Sequence, residues 1–437
     1  MNWNDILTTQ RTGQPVENIK HDRSEFMRDY DRLIFSAPFR RMQNKTQVFP
    51  LPGSVFVHNR LTHSLEVSTV GRSLGKNISR RLAQSGEAND FTEEIGSIVA
   101  AGCLAHDMGN PPFGHSGEKA ISHYFTNGKG VDVFRSGDLT DAQKSDFVNF
   151  DGNANTFRLL AHSFHGRRDG GFALTFPTVA SIIKYPRPSV GVKKFGFFQQ
   201  DKDDFDLIMR RLNIPMKDDG SYSRYPLVYL VEAADDICYQ IMDIEDACRL
   251  GIISVEETRE LLMGFFDRQT EKHAFENLDK VSQKVTDEHE QVAYMRSIVI
   301  GRLVSLCTDI FWNNREAIMS GCYSQTLIKD LPPIEAAAMK RIQSLSMEKI
   351  YRHQSVVEIE LSGFKIMGTL LDEFISAICN PDIYYSSLLR PFIADQYTVD
   401  RDASLYDKLM SAVDIVSGMT DLYALDLYKK IKGIGLG

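Results

Sequence analysis

The chain has 437 residues, of which 43% are hydrophobic and 25% charged, and its formal net charge is −8. This composition is typical of a globular protein long enough for one domain with elaborations, and the negative charge argues against a generally basic nucleic-acid binder. The six cysteines are scattered without a CxxC pair, which supports neither zinc-finger spacing nor a disulfide framework. With no signal pattern after Met1 and no apolar run of membrane length, we expect a reduced, cytoplasmic protein without a membrane partner.

The first predicted elements are a charged helical stretch over residues 25–46, a break at residues 49–53, and a new helix from residues 59–64. His63 in that helix is flanked by apolar residues, so it is either a satisfied core histidine or a metal ligand. Arg60 lies one turn earlier on the same face, because residues i and i+3 are neighbours on a helix. An arginine and a histidine on one face favour an anion and metal site.

An almost purely apolar run at residues 95–104 predicts a buried helix that leads directly into His106 and Asp107. Two polar groups buried without partners are costly, and a metal ion satisfies an imidazole nitrogen and a carboxylate oxygen together. The Gly-Asn-Pro-Pro sequence at 109–112 stops the helix. A second short helix from about Ser116 would bring His115 and Glu118 back over the same spot.

Residues 120–160 are polar and predict an irregular segment, and residues 161–200 carry many basic side chains against the single acid Asp169. The cations are Arg167, Arg168, Lys184, Arg187, Lys193 and Lys194. They form either a solvated surface or mobile loops that bind a polyphosphate.

Residues 226–246 are apolar over most of a helical circumference, which predicts a central helix. Asp235, Tyr239 and Asp243 recur every four residues and form one stripe. Either Asp235 or its neighbour pairs with an arginine, or Asp235 completes a metal site with His63, His106 and Asp107. Nitrogen and oxygen donors suit a divalent Mn, Mg, Fe, Ni or Zn ion.

Four segments together point to a family: residues 39–50, 60–67, 106–115 and 232–237. They resemble the bacterial deoxyguanosine triphosphate triphosphohydrolases, which are HD-domain metal-dependent phosphohydrolases similar to the vertebrate SAM-and-HD-domain dNTP hydrolase. The resemblance is strong over residues 20–250 and continues more weakly through residues 311–318.

The resemblance implies an all-α fold, an HD-domain helical bundle with additional C-terminal helices and at most a short β element. It also implies hydrolysis of a dNTP to deoxynucleoside and inorganic triphosphate. Carried over by motif, the metal ligands would be His63, His106, Asp107 and Asp235, and the catalytic pair His115 and Glu118. The substrate-binding residues would be Arg60 and Asn110 at the phosphates, Gln43 at the sugar and base edge, and Tyr239 and Asp243 at the deoxyribose.

Two other functions remain open from the sequence. One is another HD phosphohydrolase, such as a 5′-nucleotidase or a phosphodiesterase, and the other is a non-catalytic regulator that binds nucleotides or single-stranded DNA. The family further implies a homo-oligomer, from dimer to hexamer, with a nucleotide activator or single-stranded DNA as additional partners.

We expect an HD core over residues 1–255, with its motif residues at about 60–245, and a helical extension over residues 256–437 that packs on it without being an independent domain. In the extension, the alternating pattern at 356–361 predicts a short strand. Arg296 is either a phosphate ligand or a surface arginine at the edge of the core.

Overall fold

The computed structural model describes residues 1–14, 23–49, 57–135 and 137–435. In these ranges the chain is helical and has no β-strand, only isolated bridges such as the one between Arg11 and Thr175. This confirms the predicted all-α fold. Apart from Phe49, the break predicted at residues 49–53 falls outside the described ranges.

The N-terminal part of the chain is built from helices that range from four to 26 residues in length. In chain order they are α1 (Trp3–Ile6), α2 (Glu25–Ile34), α3 (Ala37–Arg41), α4 (Arg60–Ser85), α5 (Ile95–Ala105), α6 (Gly114–Thr126), α7 (Gly130–Arg135), α8 (Asp141–Val148), α9 (Gly152–Ala161), α10 (Phe176–Ala180), α11 (Lys202–Arg211) and α12 (Val228–Arg249).

Two predicted elements of this part need correction. The single helix predicted over 25–46 is divided, because Ser36 caps a new helix by accepting a hydrogen bond from the Phe39 N–H. The irregular segment predicted over 120–160 is instead mostly helical. Its polar residues act as caps: Thr140 forms a capping box with Gln143, and Asp151 caps α9.

Helices α4, α5 and α12 pack together at the centre of the protein. The predicted buried helix is confirmed as α5, whose side chains are almost all shielded from solvent. α4 and α5 approach closely at Gly75, where a Cβ atom would lie 2.8 Å from the Gly96 Cα atom. The predicted central helix is α12, and its first residues, Val228–Ala234, are all buried.

The C-terminal part is also helical. Its helices are α13 (Val255–Met263), α14 (Lys272–Lys284), α15 (Glu288–Asn313), α16 (Arg315–Ser320), α17 (Pro333–Leu345), α18 (Gln354–Cys379), α19 (Tyr384–Leu389), α20 (Leu405–Ser417) and α21 (Asp421–Ile431). The strand predicted at 356–361 is wrong, because these residues form the first turns of the 26-residue helix α18. Gly363, Ile366, Met367 and Leu370 continue the buried face of α18 at helical spacing, which a six-residue window does not reveal.

The hydrophobic core of the described residues has two clusters. One surrounds α4, α5 and α12 and extends to α15, and the other joins residues of α6, α8 and α9 to α18, α20 and α21. The segment from 120 to 154 therefore shares a core with residues 366–427. The boundary expected at residue 255, between the HD core and the helical extension, stays a prediction. In the described part of the chain, no helix is long and apolar enough to cross a membrane.

Candidate metal centre and active site

The three central helices bring two histidines and one aspartate together. His63 lies on α4, His106 directly follows α5, and Asp235 lies on α12. One ligand atom from each lies within 4.8 Å of the others. Both the His63 Nε2 and the His106 Nε2 approach the Asp235 Oδ1, at 3.2 Å and 3.3 Å. The nitrogen and oxygen donors of this cluster can hold a divalent metal ion.

The hydrogen bonding of His106 fits a metal ligand. Its Nδ1 donates to the Cys103 carbonyl oxygen at 2.7 Å, so the lone pair remains on Nε2. That Nε2 atom is shielded from solvent and has no hydrogen-bond partner among the described residues. Burial alone would lower the pKa of His106, but the charges of Asp107 and Asp235 raise it. A cation bound at Nε2 would satisfy both the orphaned atom and the nearby carboxylates.

Asp107 stands beside this cluster, with its Oδ1 3.7 Å from the His106 Nε2. Its other oxygen accepts a 2.6 Å hydrogen bond from the Arg60 guanidinium, and the Asn110 amide donates to Oδ1. Burial raises the pKa of Asp107, but the Arg60 and His106 charges outweigh it and hold the pKa at about 2. Asp107 therefore stays ionised and fixes both Arg60 and Asn110 at the cluster.

Asp235 pairs with a lysine rather than with an arginine. The Lys184 Nζ lies 2.8 Å from Asp235 Oδ2, which leaves Oδ1 facing the two imidazoles. Burial opposes the charge of Lys184, but the surrounding carboxylates raise its pKa above the usual value. The Oδ1 of Asp235 thus faces the two histidines, and its Oδ2 is paired with the Lys184 ammonium.

These residues border a cavity of about 550 Å³. The predicted site residues that line it are Arg60, His106, Asp107, Asn110, His115, Glu118, Asp235 and Tyr239. Further cations at its wall are Lys119, Lys184 and Lys194. A cavity of this size is within the range of small-molecule sites.

The predicted catalytic pair is formed at the rim of the cavity. His115 Nδ1 lies 3.0 Å from Glu118 Oε2, while the His115 side chain is 73% exposed and Glu118 is buried. The Gly152 N–H donates to the other Glu118 oxygen at 2.7 Å. Burial alone would raise the pKa of Glu118, but the hydrogen bond with His115 and the charge of Lys194 lower it. An anchored carboxylate therefore orients an accessible imidazole.

Position 152 requires glycine because the chain passes directly against the site. A Cβ atom on Gly152 would lie 2.1 Å from the Asn110 Oδ1 and 2.7 Å from the Glu118 Oε1. No larger side chain fits there without displacing the Glu118 carboxylate.

The turn that carries His115 is braced by residues distant in sequence. Phe113 has a left-handed backbone with φ of 62°, and its N–H donates to Asp421 Oδ1 at 3.0 Å. Lys45 Nζ donates to the Asn110 carbonyl oxygen at 2.5 Å and to the Ser417 carbonyl oxygen at 3.1 Å. Sequence reasoning missed Lys45, although it lies in the segment 39–50 that carries the family resemblance, and it missed Asp421, which stands in no local motif.

Four of the six cations of the basic stretch line two separate cavities. Lys184 and Lys194 line the cavity beside the metal cluster, whereas Arg167 and Arg168 line the other one. Lys194 Nζ lies 3.4 Å from Asp151 Oδ2 and 3.9 Å from Glu118 Oε2. Arg296 donates to Glu245 Oε2 at 2.6 Å and does not line the cavity, which favours its structural interpretation.

Two tyrosines form the far wall. The Tyr239 and Tyr351 rings are stacked, with centroids 6.0 Å apart and an interplanar angle of 15°. The Tyr351 hydroxyl donates to Asp243 Oδ2 at 2.7 Å. Asp243 itself is buried behind Tyr351 and does not line the cavity, and burial raises its pKa to about 8. Sequence reasoning missed Tyr351, which lies beyond the segments that carry the family resemblance.

Gln43 is a predicted site residue that the structure does not bring to the cavity. It is exposed in the 3₁₀ turn Met42–Asn44 and does not line the cavity, whereas Gln47 does.

The comparisons with known proteins agree with this architecture. Residues 60–184 match the HD domain, and residues 330–430 match the phosphohydrolase-associated domain. The protein is therefore an HD-domain protein. HD domains are metal-dependent phosphohydrolase domains, and the cluster of His63, His106 and Asp235 can hold such a metal.

Full-length relatives define the family more closely. A deoxyguanosinetriphosphate triphosphohydrolase-like protein of Synechocystis sp. is 35% identical over 100% of both chains. A protein of the same description from Pseudomonas aeruginosa is 33% identical over 99% of both chains, and the deoxyguanosinetriphosphate triphosphohydrolase of Yersinia enterocolitica is 29% identical over 93% of both. The chain belongs to the deoxyguanosinetriphosphate triphosphohydrolase-like family, which confirms the resemblance seen in the sequence.

Proposed function

We propose that this protein hydrolyses deoxynucleoside triphosphates to deoxynucleoside and inorganic triphosphate, with a divalent metal ion. The observation that carries the proposal is one cavity that borders the His-His-Asp cluster at His106 and Asp235 and also contains four cationic side chains and the His115–Glu118 pair. Family membership supports the same reaction class.

His63, His106 and Asp235 would hold the metal, with Asp107 beside them as a further oxygen donor. When bound, such an ion supplies Lewis-acid polarisation of a phosphoryl oxygen and activates water at neutral pH. Mn, Mg, Fe, Ni and Zn are the candidates that this donor set accepts.

The triphosphate chain would lie against the cations of the cavity wall. Arg60 is fixed by Asp107 and Lys184 by Asp235, so both charges are in place before the substrate arrives. Lys119 and Lys194 extend the positive wall towards the rim. Fixed cations stabilise the charge that develops on the phosphoryl oxygens without reorganisation at the moment of reaction.

The reaction proposed is attack of water at the α-phosphorus. The water oxygen bonds to phosphorus and one water proton passes to solvent, the bond from phosphorus to the 5′-oxygen breaks, and the leaving 5′-oxygen takes a proton. His115 is accessible and oriented by Glu118, so we assign it as the acid that supplies this proton. Such general acid catalysis typically contributes ~10²–10⁴ in rate.

Tyr239 and Tyr351 would enclose the deoxyribose. A ring pressed against the sugar leaves no space for a 2′-hydroxyl, which would select deoxynucleotides over ribonucleotides. Asp243 is separated from the cavity by Tyr351, which donates a hydrogen bond to it. We therefore propose that Tyr351 and Asp243 together recognise the 3′-hydroxyl.

Product analysis tests the proposal. The purified protein is incubated with each dNTP, and with GTP as a control, in Mn²⁺ or Mg²⁺, and the products are separated by ion exchange. Inorganic triphosphate with a deoxynucleoside supports the proposal, whereas orthophosphate or a monophosphate indicates another HD phosphohydrolase. If single dNTPs give no product, mixed dNTPs test for a nucleotide activator. If mixtures also give none, the non-catalytic regulator is favoured.

A further inference from the structure

Lys194 is a loosely held cation at the wall of the active-site cavity. Its Nζ atom lies 3.4 Å from the Asp151 Oδ2 and 3.9 Å from the Glu118 Oε2, so it stands between two carboxylates. By contrast, Arg60 and Lys184 are bound to their own carboxylates at 2.6 Å and 2.8 Å. The Lys194 side chain is also 41% exposed. Because a long, partly exposed ion pair contributes little free energy, another anion can draw this ammonium away.

The backbone that carries Lys194 is held in place. The Arg187 guanidinium donates to the Lys194 carbonyl oxygen at 3.0 Å, and the Gly196 N–H donates to the Arg187 carbonyl oxygen at 3.0 Å. Phe195 and Phe197, on the same segment, are buried. When the Lys194 ammonium changes its partner, the flexible methylene stem therefore moves while the backbone keeps the residue at the cavity wall.

The charge of Asp151 depends on this lysine. Asp151 is buried, and its Oδ1 accepts hydrogen bonds from the N–H and the side-chain amide of Asn153 at 2.9 Å and 2.8 Å. Its Oδ2 is shielded from solvent and has no hydrogen-bond partner among the described residues, so Lys194 is the cation that balances it. Burial raises the pKa of Asp151 above its usual value, although the charge of Lys194 lowers it. A buried carboxylate that loses its cation is strongly disfavoured in the ionised form.

Glu118 connects this ion pair to the assigned acid. Its Oε2 faces both the His115 Nδ1, at 3.0 Å, and the Lys194 Nζ, at 3.9 Å. A neutral His115 ring that donates its Nδ1–H to this oxygen carries no proton on Nε2. If the Lys194 ammonium leaves, Glu118 and Asp151 keep two negative charges without a positive charge between them. A second proton on His115 restores one positive charge beside Glu118.

We propose that Lys194 exchanges between these two carboxylates and a bound triphosphate, and that the exchange makes His115 take up one proton from solvent. The proton binds the His115 Nε2, so the imidazolium forms when substrate is bound and then gives this proton to the leaving 5′-oxygen. Asp151 acts as a positioning residue, since it holds Lys194 back in the free protein. This inference rests on the triphosphate binding proposed above.

Other titratable or charged groups surround these four side chains. They are Arg60, Asp107, Lys119, Tyr185, Glu360 and Asp421. Among the described residues, no ion pair or hydrogen bond joins any of their side chains to Lys194, Asp151, Glu118 or His115. Arg60 is bound to Asp107 instead. These groups are the same in every variant below, so a difference between variants reports the exchange of Lys194.

Isothermal titration calorimetry with inorganic triphosphate tests the exchange without turnover, because this anion has no bond to a nucleoside. The full chain is titrated without added metal in two buffers of different ionisation enthalpy, which gives the affinity and the number of protons taken up. Asp151→Asn removes the charge and keeps the cap of α9, since asparagine is also a favoured N-cap residue. Lys194→Met removes the ammonium and keeps the methylene stem. Asp141→Asn, at an exposed position in the first turn of α8, is the matched control.

We expect Asp151→Asn to bind triphosphate about two- to fivefold more tightly than the wild type, because nothing holds Lys194 back. Lys194→Met should bind about tenfold more weakly through the lost charge-assisted contact. Adding Asp151→Asn to Lys194→Met should give no gain, since a buried Asp151 without its cation is already protonated. The wild type and Asp141→Asn should take up more protons per bound triphosphate than Asp151→Asn, Lys194→Met or His115→Ala.

Equal or weaker triphosphate binding by Asp151→Asn than by the wild type would overturn the exchange. So would equal proton uptake by the wild type and Lys194→Met, a comparison that decides the matter if Asp151→Asn does not fold. A wild type that binds no triphosphate would overturn it as well. Failure of the proposed reaction is a separate result, because product analysis detects it, whereas this titration measures triphosphate binding whether or not a dNTP is hydrolysed.

Discussion

The Phe113 N–H donates a 3.0 Å hydrogen bond to the Asp421 carboxylate, which lies 308 residues further along the chain. The other oxygen of Asp421 accepts from the Thr46 N–H at 2.8 Å, and the carboxylate is buried. Phe113 and Gly114 are both left-handed, with φ of 62° and 55°. A non-glycine residue keeps that conformation only where the surroundings enforce it. The C-terminal part thus holds the turn that presents His115.

The Asp421→Asn variant tests whether the hydrogen bond from the Phe113 N–H to Asp421 holds the turn before His115. The introduced amide nitrogen would face a backbone N–H instead of accepting from it, at an expected cost of about 1–3 kcal/mol in the free energy of unfolding. We expect kcat to fall while bound metal and KM change little, because the variant displaces His115 and leaves the metal cluster in place. Chemical denaturation, metal analysis and steady-state kinetics measure these effects. Asp426→Asn, on the exposed side of the same helix, is the control, and equal kcat values for the two variants would contradict the account.

The His115→Ala variant removes the proposed proton donor. We expect turnover to fall by ~10²–10⁴ while metal and dNTP binding persist, because the imidazole faces the cavity from its rim and is not among the metal donors. Glu118→Gln should lose part of the same activity, since it weakens the orientation of His115. His123→Ala, an exposed histidine two turns later on α6, is the matched control. Normal turnover in His115→Ala would remove it from the mechanism.

The Asp235→Asn variant tests the metal centre. Loss of the negative charge that faces both imidazoles should remove the bound metal and leave the Lys184 ammonium without its carboxylate partner. Elemental analysis of the purified protein measures the metal directly. Asp236→Asn, the adjacent residue, is the control, and an unchanged metal content in Asp235→Asn would exclude this residue as a ligand.

A pH dependence of stability is expected from His58, which joins the start of α4 to α12. Its ring nitrogens lie 2.9 Å from Asp246 Oδ1 and 3.1 Å from Glu66 Oε1. Burial opposes protonation, but the two carboxylates outweigh it and raise the pKa of His58 to about 10. The folded state therefore binds this proton more tightly than the unfolded state. The contribution of protonated His58 to the free energy of unfolding is complete below pH ~6.5 and is lost as the pH rises towards about 10.

Chemical denaturation from pH 6 to pH 10 measures this contribution. The His58→Gln variant should show a flatter profile than the wild type, with a difference of at most about 5 kcal/mol, because each unit of pKa shift corresponds to roughly 1.4 kcal/mol. His289→Gln, on an exposed turn of α15, serves as control. Parallel profiles for wild type and His58→Gln would contradict the pairing.

The central helices could be predicted because their sequence signals are local. The apolar runs before His106 and before Asp235 specify buried helices whatever the rest of the chain does, and the polar groups that follow each run point to a shared site. The strand prediction at 356–361 failed because alternation over six residues also fits the start of a helix. Gln43 was assigned by motif alone, and a motif does not determine which side of a 3₁₀ turn a side chain occupies.

The contacts of Lys45 and Asp421 with the turn before His115 could not be predicted for a different reason, and the same holds for the position of Tyr351 at the site. Asp421 reads as an ordinary acidic residue in the first turn of a helix, and Lys45 as a surface cation. Their roles arise from contacts across more than 60 and more than 300 residues, for which a single sequence holds no pattern. Tyr351 likewise joins the site only because Asp243 and Tyr239 lie opposite it in the fold.

The most direct test of the proposed reaction is hydrolysis of a dNTP in ¹⁸O-labelled water with mass spectrometry of every product. Attack of water at the α-phosphorus predicts one ¹⁸O atom in inorganic triphosphate and none in the deoxynucleoside. Label in orthophosphate or in a deoxynucleoside monophosphate would contradict the account, because the bond broken would then be a different one.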